Sequence, residues 1–250
     1  MQRYFVAQEQ MSDHKVTITG EDVKHIGRVM RMEPGDEIVC SDGHLRTVRC
    51  EISLVEESLI EARIVEELVP NTELPVYVTI AQGLPKGDKL ELIVQKGTEL
   101  GAFAFLPFSA ARSIVKWDHK KAGKKIERLT KIAKEAAEQS YRERIPNIYD
   151  IHSLAELRNQ ISSFDAVIIA YEESAKSGEK MKLAEILQSL SVSQSVLVII
   201  GPEGGLTTTE VEQLTEEGAI LCGFGPRILR TETAPLYALA AISYHFELMR

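Results

Sequence analysis

Cysteine is scarce in this sequence, and its three copies, Cys40, Cys50 and Cys222, lie far apart, each in an apolar strand-like run. An odd and scattered set supports neither a disulfide framework nor a Cys-x-x-Cys metal site, so all three are expected to be buried and inert. The six histidines form no His-x-x-x-His or Ser/His/Asp phrase, and no metal is expected. No apolar run approaches the length of a bilayer span, and the opening Met-Gln-Arg-Tyr-Phe-Val lacks the apolar core of a signal peptide. The expectation is a cytoplasmic protein with no membrane contact. The common phosphate cradles are missing too. Gly-x-Gly-x-x-Gly follows no predicted strand and Gly-x-x-x-x-Gly-Lys-Ser/Thr occurs nowhere, which argues against a dinucleotide or a nucleoside triphosphate.

What is present is an ordinary globular composition, 44% hydrophobic and 26% charged, in 250 residues, enough for one large domain or two modest ones. A net charge of −8 is unfavourable for a protein that touches RNA, where Lys and Arg neutralise phosphates. The distribution reverses that impression locally. Residues 112–134 carry nine Lys or Arg against two acids, Asp118 and Glu127, a local charge of +7 that leaves −15 for the remainder.

Residues 1–72 read as a small β domain. Val48, Cys50, Ile52 and Leu54 alternate with Thr47, Arg49, Glu51 and Ser53, the period-two pattern of a half-buried strand, and Asp42-Gly43 is a hairpin turn. One short helix interrupts the strands, with Val23, Ile26 and Met30 on one face and Lys24, Arg28 and Arg31 along the other. That basic stripe suits a phosphate backbone, although a solvated helix face is the plainer reading. Pro70-Asn71-Thr72-Glu73-Leu74-Pro75 is the predicted linker.

From residue 76 the rhythm becomes alternating strands and helices: strands at 76–81, 103–107, 166–170, 196–200 and 220–222, and helices near 88–100, 120–142, 180–190, 208–217 and 235–249. This pattern predicts a parallel α/β sheet in residues 73–250. The helix near 120–142 sets Ile126, Leu129, Ala133, Ala136 and Ser140 on one side and Lys120, Lys124, Arg128 and Lys131 on the other, a face for packing and a face open to RNA or to solvent.

Two phrases carry most of the functional information. Gly201-Pro202-Glu203-Gly204-Gly205 follows the apolar strand ending at Ile200 and precedes Thr207-x-x-Glu210, a capping box that opens a helix. Gly225-Pro226-Arg227-Ile228-Leu229-Arg230-Thr231-Glu232-Thr233-Ala234 stands at the next strand-to-helix junction. Such junctions bind ligands in α/β proteins, and glycine lets the backbone approach them closely.

With their spacing, these phrases resemble the paired loops of the uracil-N3 methyltransferases of small-subunit (16S) ribosomal RNA, members of the SPOUT superfamily of knotted methyltransferases. The likeness extends to Gln95-Lys96-x-x-Glu99-Leu100-Gly101, Pro107-Phe108-x-x-x-x-Arg112-Ser113, Ala133-Lys134-Glu135-Ala136-Ala137-Glu138-Gln139-Ser140 and His25-Ile26-Gly27-Arg28-Val29-x-Arg31-x-x-x-Gly35-Asp36, and so covers both halves of the chain. The resemblance implies an α/β fold: a C-terminal SPOUT-type parallel sheet with a deep trefoil knot over residues 73–250, preceded by a small PUA-like β-barrel over residues 1–72 that helps hold RNA. It implies S-adenosylmethionine bound by Gly201, Glu203 and Gly205 in one loop and Gly225, Ile228, Leu229, Arg230, Thr231 and Glu232 in the other, with Tyr171 and Glu172 on a third side. It also implies a homodimer, to which the apolar last helix lends itself, and 16S ribosomal RNA or the small subunit as partner.

Methyl transfer to uracil N3 requires removal of a proton and stabilisation of the charge left behind. Glu232 is the candidate base, with Arg230 or Arg112 as donors to the uracil oxygens; pairing of Arg230 with Glu232 to shape the loop is the competing reading. Lys86, Lys89, Lys96, Lys116 and Arg142 join Lys24, Arg28 and Arg31 as candidate phosphate contacts. A knotted enzyme acting on another base or on a ribose hydroxyl, and a non-catalytic RNA-binding assembly factor, are the alternatives.

Overall fold

The computed structural model describes residues 1–44, 46–117, 119–171 and 181–249, with no side chain described at 119–121. Glu172 and the side chain of Lys120 therefore lie outside the described residues. The chain divides into two compact units, Met1–Glu73 with Lys134–Ile145, and Leu74–Ala133 with Pro146–Arg250. Among the described residues no helix is long and apolar enough to cross a membrane.

In the first unit, β1 (Gln2–Phe5), β2 (Lys15–Thr19), β3 (Glu37–Ser41), β4 (Thr47–Val55) and β5 (Leu59–Leu68) form one sheet in the order β1-β3-β4-β5-β2. It is antiparallel except for the β1–β3 pair. Alternation in β4 buries Val48, Cys50 and Ile52 as predicted. It breaks at Leu54, which is exposed because a bulge between Ile52 and Leu54 shifts the register by a residue and reverses the side chain's direction. The predicted helix is one turn, α1 (Glu21–Lys24), continued by a π turn His25–Val29. Val23 and Ile26 enter a core shared with residues of all five strands. The wider π turn rotates later residues out of the apolar stripe, so Met30, expected inside, is exposed. Lys24, Arg28 and Arg31 are exposed, and all three cysteines are buried and outside any disulfide.

Arg142 departs from expectation. It is 2% exposed, with its guanidinium paired to Glu73, whose Oε1 accepts from Arg142 Nε at 3.1 Å and from the Glu143 N–H at 2.9 Å. A buried cation with a bound counter-ion holds chain together; it is not offered to an RNA phosphate.

In the second unit, β6 (Tyr77–Gly83), β7 (Ala104–Ser109), β8 (Asn147–Ile148), β10 (Ala166–Ala170), β11 (Ser195–Ile200) and β12 (Ile220–Cys222) run parallel in the order β12-β10-β11-β6-β7-β8, with β9 (His152–Ser153) also on β7. The helices of this part of the chain are α2 (Lys89–Glu99), α3 (His119–Gln139), α4 (Leu154–Gln160), α5 (Lys182–Ser189), α6 (Thr208–Glu216) and α7 (Ala234–Ser243). The central strand β6 is buried on both faces, as in an all-parallel sheet: Val78, Thr79, Ile80, Ala81, Gln82 and Gly83 are all buried. Gly97 lets α2 approach β7, since a Cβ there would stand 2.8 Å from the Phe105 ring. The sequence reading missed α4, although Ser153 and Glu156 form its capping box. α7 is shorter than predicted and passes into a π turn, Tyr244–Leu248.

Within the first unit Glu138 Oε1 accepts the Phe5 N–H at 3.2 Å, with Lys134 Nζ 3.6 Å away and itself 2.6 Å from Asp22. Burial pushes the Glu138 carboxyl up from 4.5 to about 7, against the opposing pull of Lys134 and of the Phe5 N–H. The folded chain therefore keeps a proton that the unfolded chain releases between those values. Its stabilising contribution is full below 4.5 and is lost as pH rises through about 7. Glu138→Gln should flatten the decline in unfolding temperature between pH values of about 5 and about 8; superimposable profiles for the two proteins would show that this carboxyl titrates normally.

Candidate active site

The register of the second sheet decides where ligand-binding groups meet. Gln82 lies opposite Ile200, and Ala170 opposite Cys222, so β6, β10, β11 and β12 end at a common edge. Segments leaving that edge surround a cavity of about 620 Å3: residues 201–206 after β11, residues 224–232 after β12, and Ala170 and Tyr171 at the end of β10, with Lys89 and Arg112 completing the wall. A crevice beyond the carboxyl ends of parallel strands is where such sheets bind ligands.

The first loop leaves no room for a side chain at Gly201 and needs a left-handed backbone at Gly205. A Cβ on Gly201 would stand 2.9 Å from the Gly205 carbonyl carbon, and Gly205 has φ +69° with its N–H donating to Pro202 O at 2.8 Å. The predicted capping box then starts α6: Thr207 Oγ1 accepts from Glu210 N at 3.2 Å and Glu210 Oε2 accepts from Thr207 N at 2.7 Å. The buried Glu210 also accepts the Ala111 N–H at 2.7 Å, and Arg112 Nη1 donates to Gly204 O at 2.9 Å. Arg112, a candidate donor to the substrate, thus spends hydrogen bonds on holding this loop.

At the floor, the fully buried Gln82 donates through Nε2 to Thr231 Oγ1 at 2.9 Å and to Gly83 O at 3.0 Å, while Thr231 Oγ1 donates to Gly201 O at 2.7 Å. One chain of hydrogen bonds therefore ties β6 to both loops. Thr231, expected at the cofactor, lines the cavity with its hydroxyl committed to this link. Gln82 escaped the sequence reading; its only signal is a lone amide at the end of an otherwise apolar strand.

At the rim, Lys89 Nζ lies 2.9 Å from Glu203 Oε1 and 3.2 Å from Glu232 Oε2, and Glu203 Oε1 also accepts the Lys86 N–H at 3.1 Å. These two carboxylates raise the Lys89 ammonium above its ordinary range, Glu203 more than Glu232. Burial pushes both carboxyls up, but hydrogen bonds from backbone N–H groups and from Lys89 outweigh it and hold them below the usual carboxylate range. Arg230 Nη1 is 4.0 Å from Glu232 Oε1, and with 83% of its side chain exposed it remains available to a ligand. Lys89, expected on an RNA phosphate, is instead part of this site.

Ile200, Leu206, Phe224, Leu229 and Ala234 supply apolar wall, while Glu203 and Glu232 face Lys89, Arg112, Arg227 and Arg230, so the lining carries charge of both signs. Apolar wall beside charge of both signs suits an amphipathic small molecule that carries charged groups, and the volume is in the usual range for a small-molecule site. Among the described residues no group of three or more His, Cys, Asp or Glu is placed to hold a metal ion.

A family model described as an RNA methyltransferase domain matches residues 72–243, and one described as an RNA methyltransferase PUA domain matches residues 18–65. The chain is 54% identical to ribosomal RNA small subunit methyltransferase E of Bacillus subtilis, over 100% of this chain and 99% of that one. It belongs to the ribosomal RNA small subunit methyltransferase E family. The resemblance carried by the sequence phrases therefore holds. Two solved structures superimpose on nearly the whole chain: a methyltransferase E from Neisseria gonorrhoeae bound to S-adenosyl methionine (30% identity, 97% of each chain, TM-score 0.84), and a Legionella pneumophila methyltransferase in complex with the same cofactor (29% identity, 96% of each chain, TM-score 0.85).

In this chain the cavity gathers Arg112, Tyr171, Gly201, Glu203, Gly205, Ile228, Leu229, Arg230, Thr231 and Glu232. Gly225, at φ +80°, turns the second loop between Phe224 and Arg227, which also line it. Arg227 was not singled out from the sequence, although it stands inside the phrase that was. Of the expected phosphate contacts, Lys86 and Lys116 are exposed in the second unit, and Lys96 pairs with Glu99 at 2.7 Å. The close fit under the first loop is testable. A Cβ at position 83 would stand 2.7 Å from Pro202 Cδ and 2.8 Å from Pro202 N, so Gly83→Ala should cost about 1–3 kcal/mol in urea unfolding, as overpacked sites do.

Proposed function

We propose that this protein transfers the methyl group of S-adenosylmethionine to N3 of a uridine in the 16S ribosomal RNA of the small subunit. The observation that carries this reading is the meeting of the two glycine loops around one cavity, with Glu232 and Arg230 at its rim, in a chain of this family. When bound, S-adenosylmethionine supplies a methyl group on a sulfonium sulfur, already a strong electrophile. The backbone of Gly201, Gly205, Gly225, Ile228 and Leu229, with Tyr171, would hold it.

The chain's own task is to prepare the nucleophile. Glu232 takes the N3 proton as the new N–C bond forms, and the electron pair of the broken C–S bond stays on sulfur. Held below the usual carboxylate range, Glu232 is ionised at neutral pH and so in the form that can accept a proton. Arg230, exposed at the rim, hydrogen-bonds the uracil oxygens on which charge develops. Lys24, Arg28 and Arg31 in one unit and Lys86, Lys96 and Lys116 in the other bind phosphates.

The finer architecture belongs to the same reading: residues 1–72 as a PUA-like RNA-binding domain, and residues 73–250 as a SPOUT domain with a trefoil knot. Membership of the family is what supports the knot. A homodimer is supported by the exposed Tyr237, Tyr244, Leu248 and Met249 on α7 and the turn that follows it. A ribosome-modifying enzyme of this kind works in the cytoplasm.

Incubation with labelled S-adenosylmethionine and small subunits lacking the modification, followed by mass spectrometry of the digested nucleosides, should yield N3-methyluridine. Another methylated nucleoside would move the substrate, and no label despite cofactor binding would favour an assembly factor. In the same assay, at saturating cofactor, Glu232→Gln should lower kcat by about 100-fold or more, the usual contribution of a general base. Full activity in that variant would remove Glu232 from the role of base.

A further inference from the structure

Lys89 opens α2, a helix anchored to the sheet through Leu90, Ile93 and Val94, all buried. A cation in the first turn opposes the helix dipole, so helix formation does not account for a lysine there. What does account for it is across the cavity. Its Nζ lies within 3.2 Å of two carboxylates that come from different loops, Glu203 after β11 and Glu232 after β12. Two carboxylates so near one point would repel each other, and the repulsion would drive the loops apart. With Lys89 between them and Arg230 4.0 Å from Glu232, two cations balance the two carboxylates at neutral pH, by their ordinary ionisation.

We propose that Lys89 is a positioning residue of the methyl-transfer site, clamping Glu203 and Glu232, and with them both loops, in the arrangement that receives S-adenosylmethionine, and that it makes no phosphate contact. The inference rests on the reading of this cavity as the cofactor site. It complements the floor of the site, where Gln82 and Thr231 tie the same two loops through neutral hydrogen bonds.

The test uses the full chain and three variants, Lys89→Met, Lys89→Gln and Lys89→Arg. S-adenosylmethionine affinity is measured by titration calorimetry, and affinity for a small-subunit RNA fragment is measured across salt concentrations. Lys89→Met and Lys89→Gln should each weaken cofactor binding about tenfold or more, the effect of losing about 1.4 kcal/mol, and raise the KM for cofactor while leaving that for RNA in place. Lys89→Arg, which preserves both ion pairs, should restore cofactor affinity, and the salt slope of RNA binding should not change. Undiminished cofactor affinity in the Met and Gln variants, failure of Arg to restore it, or a salt slope shallower by about one unit, as loss of a phosphate contact produces, would overturn the proposal. Should neither neutral variant fold, adding Lys89→Arg to the Glu203→Gln, Glu232→Gln double variant must leave cofactor affinity unaltered; a further loss there would also overturn it. If the unaltered protein binds no S-adenosylmethionine, it is the assignment of the cavity that falls, not the clamp alone.

Discussion

The site depends on one constraint: parallel strands distant in sequence must end side by side, and the loops that leave them must be locked together. The lock is the run from Gln82 Nε2 to Thr231 Oγ1 to Gly201 O, at 2.9 and 2.7 Å, in the buried floor of the cavity. Its three members come from β6, from the segment after β12 and from the end of β11. A buried amide gains more from such bonds than an exposed one, because water is not there to replace them. The close approach of Gly83 to Pro202 adds a steric condition to the polar one. Without both, two glycine-rich loops would be mobile connections, and not the walls of a binding site.

Charge is organised on a different principle from hydrogen bonding here. The cationic stretch at 112–134 keeps an ion pair of its own, Arg128 with Glu91 at 2.7 Å, yet most of its described lysines stay exposed. Two basic residues outside that stretch, Lys89 and Arg142, face carboxylates of the chain itself. One organises the cavity rim, and the other secures Glu73 beside the linker. An acidic protein can thus keep a concentrated positive surface for a polyanion while spending individual cations on its own architecture.

Much of the fold was legible because its signals are local. The β-branched run at 195–200, the Thr207–Glu210 capping box and the period-two pattern around Cys50 each draw on neighbours along the chain. Local signals failed where geometry intervened within an element: a bulge turned Leu54 outward, and a π turn exposed Met30. The short α4 carried a readable capping box that went unread.

The candidate site divides in the same way. The glycine loops could be recognised because backbone that must turn sharply needs residues of a particular kind in a particular order, and that requirement is written in consecutive letters. The roles of Arg112, Lys89, Gln82 and Arg142 could not, because each is set by a partner between 69 and 149 positions away. A lysine has the same composition whether it meets a phosphate or a glutamate, and only the folded chain brings one or the other within 3 Å or so of its ammonium. By itself, then, the sequence determined the elements, the family and the loops that make a site, since these follow from short-range periodicity and turn chemistry. Which side chains close that site, and which cations are left for RNA, was decided only by the tertiary structure, because the energy of a charge or a buried amide depends on what lies next to it in space.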